Sequence, residues 1–133
     1  MYNNTGITKT SYLNKNQILF AVEHQVSMSI VVDDTAGTED SATKRKIVKA
    51  GTPLTGSLDA RTTAFTKASS SGSPSASNAV GILLHDVDVT AGENNGTLLI
   101  FGFVNTNRID ATTKALITAE VKAALPMIKF VAC

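Results

Sequence analysis

Tryptophan is absent from this sequence, cysteine occurs once, histidine twice, and only 17% of its 133 residues carry charge. Each shortage excludes something. Cys133 has no partner for an internal disulfide and cannot build a cysteine-based metal cluster, so it reads as an inert thiol. Twelve Lys and Arg against eleven Asp and Glu leave a net charge of +1, which is not the dense positive field that non-specific nucleic-acid binding requires. The longest uncharged apolar run, Thr97 to Val104, is far below the ~20 residues of a membrane span. The opening stretch MYNNTGITKTSYLNKNQ is polar and has no apolar signal-peptide core, so a soluble chain without a secretion signal is expected.

What is present is apolar and hydroxylated. Hydrophobic residues make up 43% of the chain, and 28 of the 133 residues are Ser or Thr. A chain of this size buries roughly two-thirds of its unfolded surface, so one domain with an ordinary core is expected. Residues 1–16 are rich in Asn and Thr with scattered apolar positions, and read as an extended arm ahead of a single β-rich domain over 17–133. Ile18, Phe20 and Val22 alternate with Leu19, Ala21 and Glu23 as a short strand. Val26, Met28, Ile30 and Val32 give a clear period-two signature.

A polar loop follows from Asp33 to Thr43, then a short strand over Lys46 to Ala50, which runs into Gly51-Thr52-Pro53. Thr62 to Thr66 is a further short strand. Ala68 to Asn78 (ASSSGSPSASN) reads as a surface loop. Ala79 to Val89 and Thr97 to Val104 are the strongest strands, and Asn95-Gly96 between them predicts a hairpin turn. Phe101 and Phe103 share a strand face and are assigned to the core. Near the end, Asp110 and Thr118 are helix caps, Pro126 is a stop, and Met127 to Val131 is a closing strand. The fold class is therefore mainly β with one or two short α-helices.

Catalytic and metal constellations are not found. In His85-Asp86-Val87-Asp88 the two carboxylates share one strand face and the imidazole takes the other, so they do not converge on an ion; Asp33-Asp34 with Glu39 and Asp40 lacks the ligand spacing of a calcium loop. Gly72-Ser73-Pro74 is no nucleophile elbow, and Gly51 to Gly56 lacks the Lys of a phosphate loop. Lys44-Arg45-Lys46 has no interleaved aromatics and reads as a solvated strand edge. The sequons Asn3-Asn4-Thr5 and Asn95-Gly96-Thr97 lack a secretion signal. No enzyme, no cofactor and no metal are expected.

Four segments occur in an order that is informative together: Val48-Lys49-Ala50-Gly51-Thr52-Pro53-Leu54, Ala79 to Val87 (AVGILLHDV), Gly96 to Val104, and Ile117 to Phe130. Their layout resembles the head-decoration and head-fibre proteins of tailed bacteriophages. The "AGTPL" opening, "AVGILL" and the Gly-Phe-Val strand are similar to the lambda-type decoration proteins, and the Thr-Ala-Glu to Lys-Phe tail resembles the head-fibre group. The likeness spans about residues 45–131. It implies a small β-barrel or β-tulip-like decoration fold that binds the major capsid protein on the outside of the virion, often as a homo-trimer at local three-fold positions. Such a protein would be made in the host bacterial cytoplasm, without nucleic-acid or membrane partners. It further implies an N-terminal arm that orders on the shell; here that role falls to Tyr2, Asn3, Asn4, Thr5, Ile7, Thr8, Tyr12 and Leu13. The chain departs from the family in its strand-like region Gln17 to Val32 and its lack of tryptophan. A host- or glycan-binding module is the alternative, with the Ser-rich loop or the 91–96 turn as its contact.

Overall fold

The computed structural model describes residues 18–21, 23–72 and 75–132. The chain is mainly β with two short helices, as the sequence predicts. Its spine is one long strand, β9 (Asn94–Asn105), and the other elements are placed by how they pair with it. Antiparallel to it runs β1 (Val26–Val32), with Val26 opposite Phe101 and Val32 opposite Asn94. On the far edge β7 (Gly81–Leu83) sets Ile82 against Leu99 and Leu83 against Leu98. Outward from β7 the sheet continues through β3 (Pro53–Thr55) to β4 (Thr66–Lys67). Two small ribbons complete the strands: β2 (Ile47–Val48) with β8 (Val87–Asp88), and β5 (Ser70–Ser71) with β6 (Ala76–Ser77).

The last strand, β10 (Ile128–Val131), runs parallel to β9, with Ile128 opposite Gly102. Parallel neighbours need a crossover of a dozen residues or more. That crossover holds α1 (Ala111–Lys114) and α2 (Ala119–Ala124). Helices of four and six residues have little stability alone. The Asp110 carboxylate accepts from Thr112 N–H to cap α1, and the Thr118 hydroxyl accepts from Val121 N–H to cap α2. Ile117, Val121 and Leu125 then bury against the sheet.

Two apolar cores lie on opposite faces of the β7–β9 pair. Ile82 and Leu99 face one core, with Leu84, Val104, Ile109, Val121 and Ile128. Leu83 and Leu98, one residue along each strand, face the other, with Ile30, Val32, Leu54, Phe65 and Val87. This alternation explains the continuous runs AVGILL and TLLIF: a strand buried on both faces has no polar side to show. All four pairing residues are essentially inaccessible.

Several expectations are corrected. The sheet is open rather than closed into a barrel: a single bridge between Val32 and Phe65 brings its far end back to β1, and one bridge is not a ladder. The predicted 18–22 strand reduces, among the described residues, to a bridge between Leu19 and Val104. The Thr62–Thr66 strand shifts to β4, and the Lys46–Ala50 strand shortens to β2. Pro53 opens a strand, where a missing N–H is tolerated. The serine-rich stretch contains the β5–β6 ribbon, which is tied by Ser69 N–H donating to Asn78 Oδ1 at 2.8 Å and packs through β6 on α2.

Asn95-Gly96 does not form the turn. It lies inside β9, with Gly96 opposite Ile30, and the chain reverses earlier, around Thr90–Glu93. A Cβ at Gly96 would sit 2.9 Å from Val32 Cγ2 and 3.0 Å from Val87 Cγ2, so glycine serves close packing there. Phe101 is 37% exposed and Phe103 half-buried, so neither is the core residue expected.

Gly81 tests the two-core arrangement. A Cβ on Gly81 would meet Leu98 Cγ and the Leu99 carbonyl oxygen, each at 2.7 Å. The carbonyl belongs to the central ladder and cannot step aside as a side-chain tip can. Gly81→Ala is therefore expected to cost about 1–3 kcal/mol of stability, the usual range for overpacking. Urea unfolding should show a lower midpoint at an unchanged slope.

Candidate functional site

The eight arm residues singled out from the sequence, Tyr2, Asn3, Asn4, Thr5, Ile7, Thr8, Tyr12 and Leu13, all lie outside the described residues, as does Cys133. The root of the arm is described. Ile18 and Leu19 are 1% and 3% exposed. Asn105 N–H donates to the Ile18 carbonyl at 2.7 Å, and Phe20 N–H donates to the Phe103 carbonyl at 2.8 Å. Gly102 N–H donates instead to the Met127 carbonyl at 3.3 Å. Neighbouring residues of a strand direct their backbone groups to opposite edges, so β9 is held by the arm's root on one side and by the β10 segment on the other.

The polar candidates resolve into fold-holding contacts. Asp86 Oδ1 accepts from Ala50 N–H at 2.7 Å, and its other oxygen lies 3.7 Å from Lys49 Nζ. Asp88 accepts from Arg45 at 2.6 Å and from the Thr90 hydroxyl at 2.5 Å. Lys46 stands 3.8 Å from Asp34. Three cations of the segment Arg45-Lys46-Ile47-Val48-Lys49 thus each meet one carboxylate, and the β2–β8 ribbon is tied across a sequence gap of some forty residues. Of the basic run Lys44-Arg45-Lys46, expected to be a solvated edge, Arg45 and Lys46 are engaged in this way. His85 is exposed. Among the described residues, no group of three His, Cys, Asp or Glu lies close enough together to hold a metal ion.

The feature that sequence reading missed is apolar. A groove of about 390 Å³ runs between β1, β9 and the end of α2. Val26 comes from β1, Ile100 and Phe101 from β9, Val80 from the approach to β7, Leu58 from a turn, and Ala124 to Met127 from the α2–β10 junction. Five large apolar side chains are exposed among the described residues, and four of them line this groove: Val26 at 50%, Leu58 at 41%, Phe101 at 37% and Met127 at 60%. Apolar side chains scattered singly over a surface need no explanation, but four converging on one depression make it a candidate contact surface. Such a groove offers no acid, base or nucleophile; what it supplies is apolar area, worth roughly 25 cal/mol per Å² removed from water.

The groove was hard to see in the sequence because its parts come from five separate stretches. Alternation did not reveal it either. Gly102 and the bulge between Val26 and Ser27 interrupt the strict period-two pattern beside Phe101, so the face of that residue could not be read from alternation. No helix among the described residues is long and apolar enough to cross a membrane. Comparison with protein-family models, with curated proteins and with solved structures returned no match.

The carboxylate contacts set an acid limit. The Thr90 hydroxyl, and then Arg45, hold the Asp88 carboxyl well below the usual carboxylate range. A carboxylate depressed in the folded state contributes stability that is present above its unfolded pKa of about 4 and is lost as pH falls towards the folded value. The gap in stability between the native chain and Asp88→Asn should therefore be flat from pH 5 to 8 and close below about pH 4. Chemical unfolding at a series of pH values checks this, and a gap that persists unchanged at pH 2–3 would contradict it.

Proposed function

We propose that the protein is a structural component of a virion, attached to the outer surface of an icosahedral phage capsid, which it decorates and stabilises. The observation that carries this reading is the anchored root of the arm: Ile18 to Phe20 are hydrogen-bonded directly to β9, the strand on which both cores are built. Whatever the arm grips is thereby coupled to the most deeply buried part of the domain. A second observation agrees with it. The four segments that carry the family resemblance fall on β2–β3, β7–β8, β9 and α2–β10, and their residues supply most of the core around Ile82 and Leu99 and half of the core around Leu83 and Leu98.

The mechanism in this reading is attachment rather than catalysis. Tyr2, Asn3, Asn4, Thr5, Ile7, Thr8, Tyr12 and Leu13 would contact the major capsid protein, with main-chain hydrogen bonds of an added strand supplying affinity and the side chains supplying register. Ordering an arm costs conformational entropy at each site. Three copies at a local three-fold position offset that cost, because once one arm is engaged the others bind at high effective concentration. A net charge of +1 suits crowding, since a strong like charge on every copy would make neighbours repel.

Titrating the protein onto expanded shells should give saturable binding and a higher shell disruption temperature. Shells that bind no protein, or bind it without gain in disruption temperature, would refute the reading. Removing residues 1–16 should weaken attachment at least tenfold while the urea midpoint of the free protein stays within error of the full chain.

A further inference from the structure

Asn95-Gly96 reads as a turn but lies inside β9, and the dipeptide carries a chemistry that the fold does not use. We propose that Asn95 is a site of spontaneous conversion to isoaspartate, and that the pairing of β1 with β9 is the gate that keeps it intact. The reaction needs no enzyme. The Gly96 amide nitrogen attacks Asn95 Cγ and gives up its proton, a carbon–nitrogen bond forms, and the side-chain nitrogen leaves as ammonia. Water then opens the succinimide ring. Opening at Cγ leaves aspartate; opening at the backbone carbonyl carbon leaves isoaspartate, in which the chain runs through Cγ. One water is consumed and one ammonia released. Glycine favours the attack because no side chain shields its nitrogen.

The fold both imposes this dipeptide and restrains it. Close packing against Val32 and Val87 selects glycine at position 96. Asn95 is exposed opposite Val31, and its side-chain amide makes no hydrogen bond among the described residues. Asn94 is held instead: its Nδ2 donates to the Asp88 carbonyl at 3.0 Å, and its Oδ1 accepts from Asn95 N–H at 2.8 Å. What is withheld at Asn95 is the nucleophile. Leu84 N–H donates to the Thr97 carbonyl at 2.9 Å, so Thr97 turns its backbone groups to β7 and Gly96 turns its own to β1. Gly96 and Ile30 are therefore a hydrogen-bonded pair of the ladder, with the Gly96 N–H on the Ile30 carbonyl. Ring closure also requires Asn95 to leave the extended conformation of the strand.

The gate is local because β1 stands at the end of the sheet, and its release frees Gly96 while the β7–β9 pair stays closed. The consequence is one-way. Isoaspartate adds a carbon to the backbone and breaks the register that sets Val31 opposite Asn95 and Ile30 opposite Gly96. Either product also lowers the net charge of +1 by one. The site thus records how often β1 has opened.

The test uses the full-length chain and no shells, so it is independent of the capsid reading. The protein is aged in mildly alkaline buffer, folded or in concentrated urea, and residue 95 is followed by peptide mass and by methyltransferase labelling of isoaspartate. The folded chain should convert at least tenfold more slowly than the unfolded one; equal rates would overturn the proposal. Met28→Gly removes a half-buried side chain from β1 and should raise the folded-state rate at least fivefold. Gly81→Ala, which strains the β7–β9 pair, should raise it less. A rate unmoved by Met28→Gly, or moved as much by Gly81→Ala, would remove β1 as the gate. Hydrogen exchange of the native chain decides the same point should Met28→Gly not fold: the Gly96 amide should exchange at least tenfold faster than that of Leu99, and the reverse order would overturn the proposal.

Discussion

Everything in this fold depends on β9 being satisfied along both edges and both faces at once. A strand of twelve residues presents a long row of backbone donors and acceptors, and leaving them buried and unpaired would be prohibitive. No single neighbour covers that length. β1 takes one edge from Asn94 to Phe101 and the arm's root takes over near Val104, while β7 and then β10 divide the other edge. The division of labour explains why the remaining strands are so short. Several of them need to contribute only two or three residues each, because their task is to complete a ladder or cap a core.

The same strand explains what could and could not be read from the sequence. Its core pattern was legible: Leu98 and Leu99 with Ile82 and Leu83 stand in continuous apolar runs because adjacent residues serve opposite cores. The caps at Asp110 and Thr118 and the stop at Pro126 were legible because they are local chemistry, settled within one helical turn. Asn95-Gly96 misled because the pair has two physical uses. Its tolerance of positive φ suggests a turn, but here the absence of a side chain at Gly96 is what matters, letting Val32 and Val87 approach. Phe101 misled for a related reason, since alternation predicts a face only while the pleat stays regular, and a bulge sits beside it.

The ionic contacts are secondary to this framework, and their exposure decides their weight. Arg45–Asp88, Lys46–Asp34 and Lys49–Asp86 all have side chains between 30% and 56% exposed. Surface pairs of that kind contribute little stability individually. Their effect is positional. β2 and β8 share only two residue pairs, too few to fix a register, and the carboxylates of Asp86 and Asp88 hold backbone and side chains on either side of that ribbon. Ion pairs are thus found beside a ladder of only two residue pairs.

The groove carries the argument from fold to function. An apolar depression on a near-neutral, hydroxyl-rich surface is a liability for any protein held at high local density, because copies would stick to one another through it. Covering it removes apolar area from water at roughly 25 cal/mol per Å², and because its walls come from β1, β9 and the α2–β10 junction, an occupant would bind across elements that the central strand already holds together.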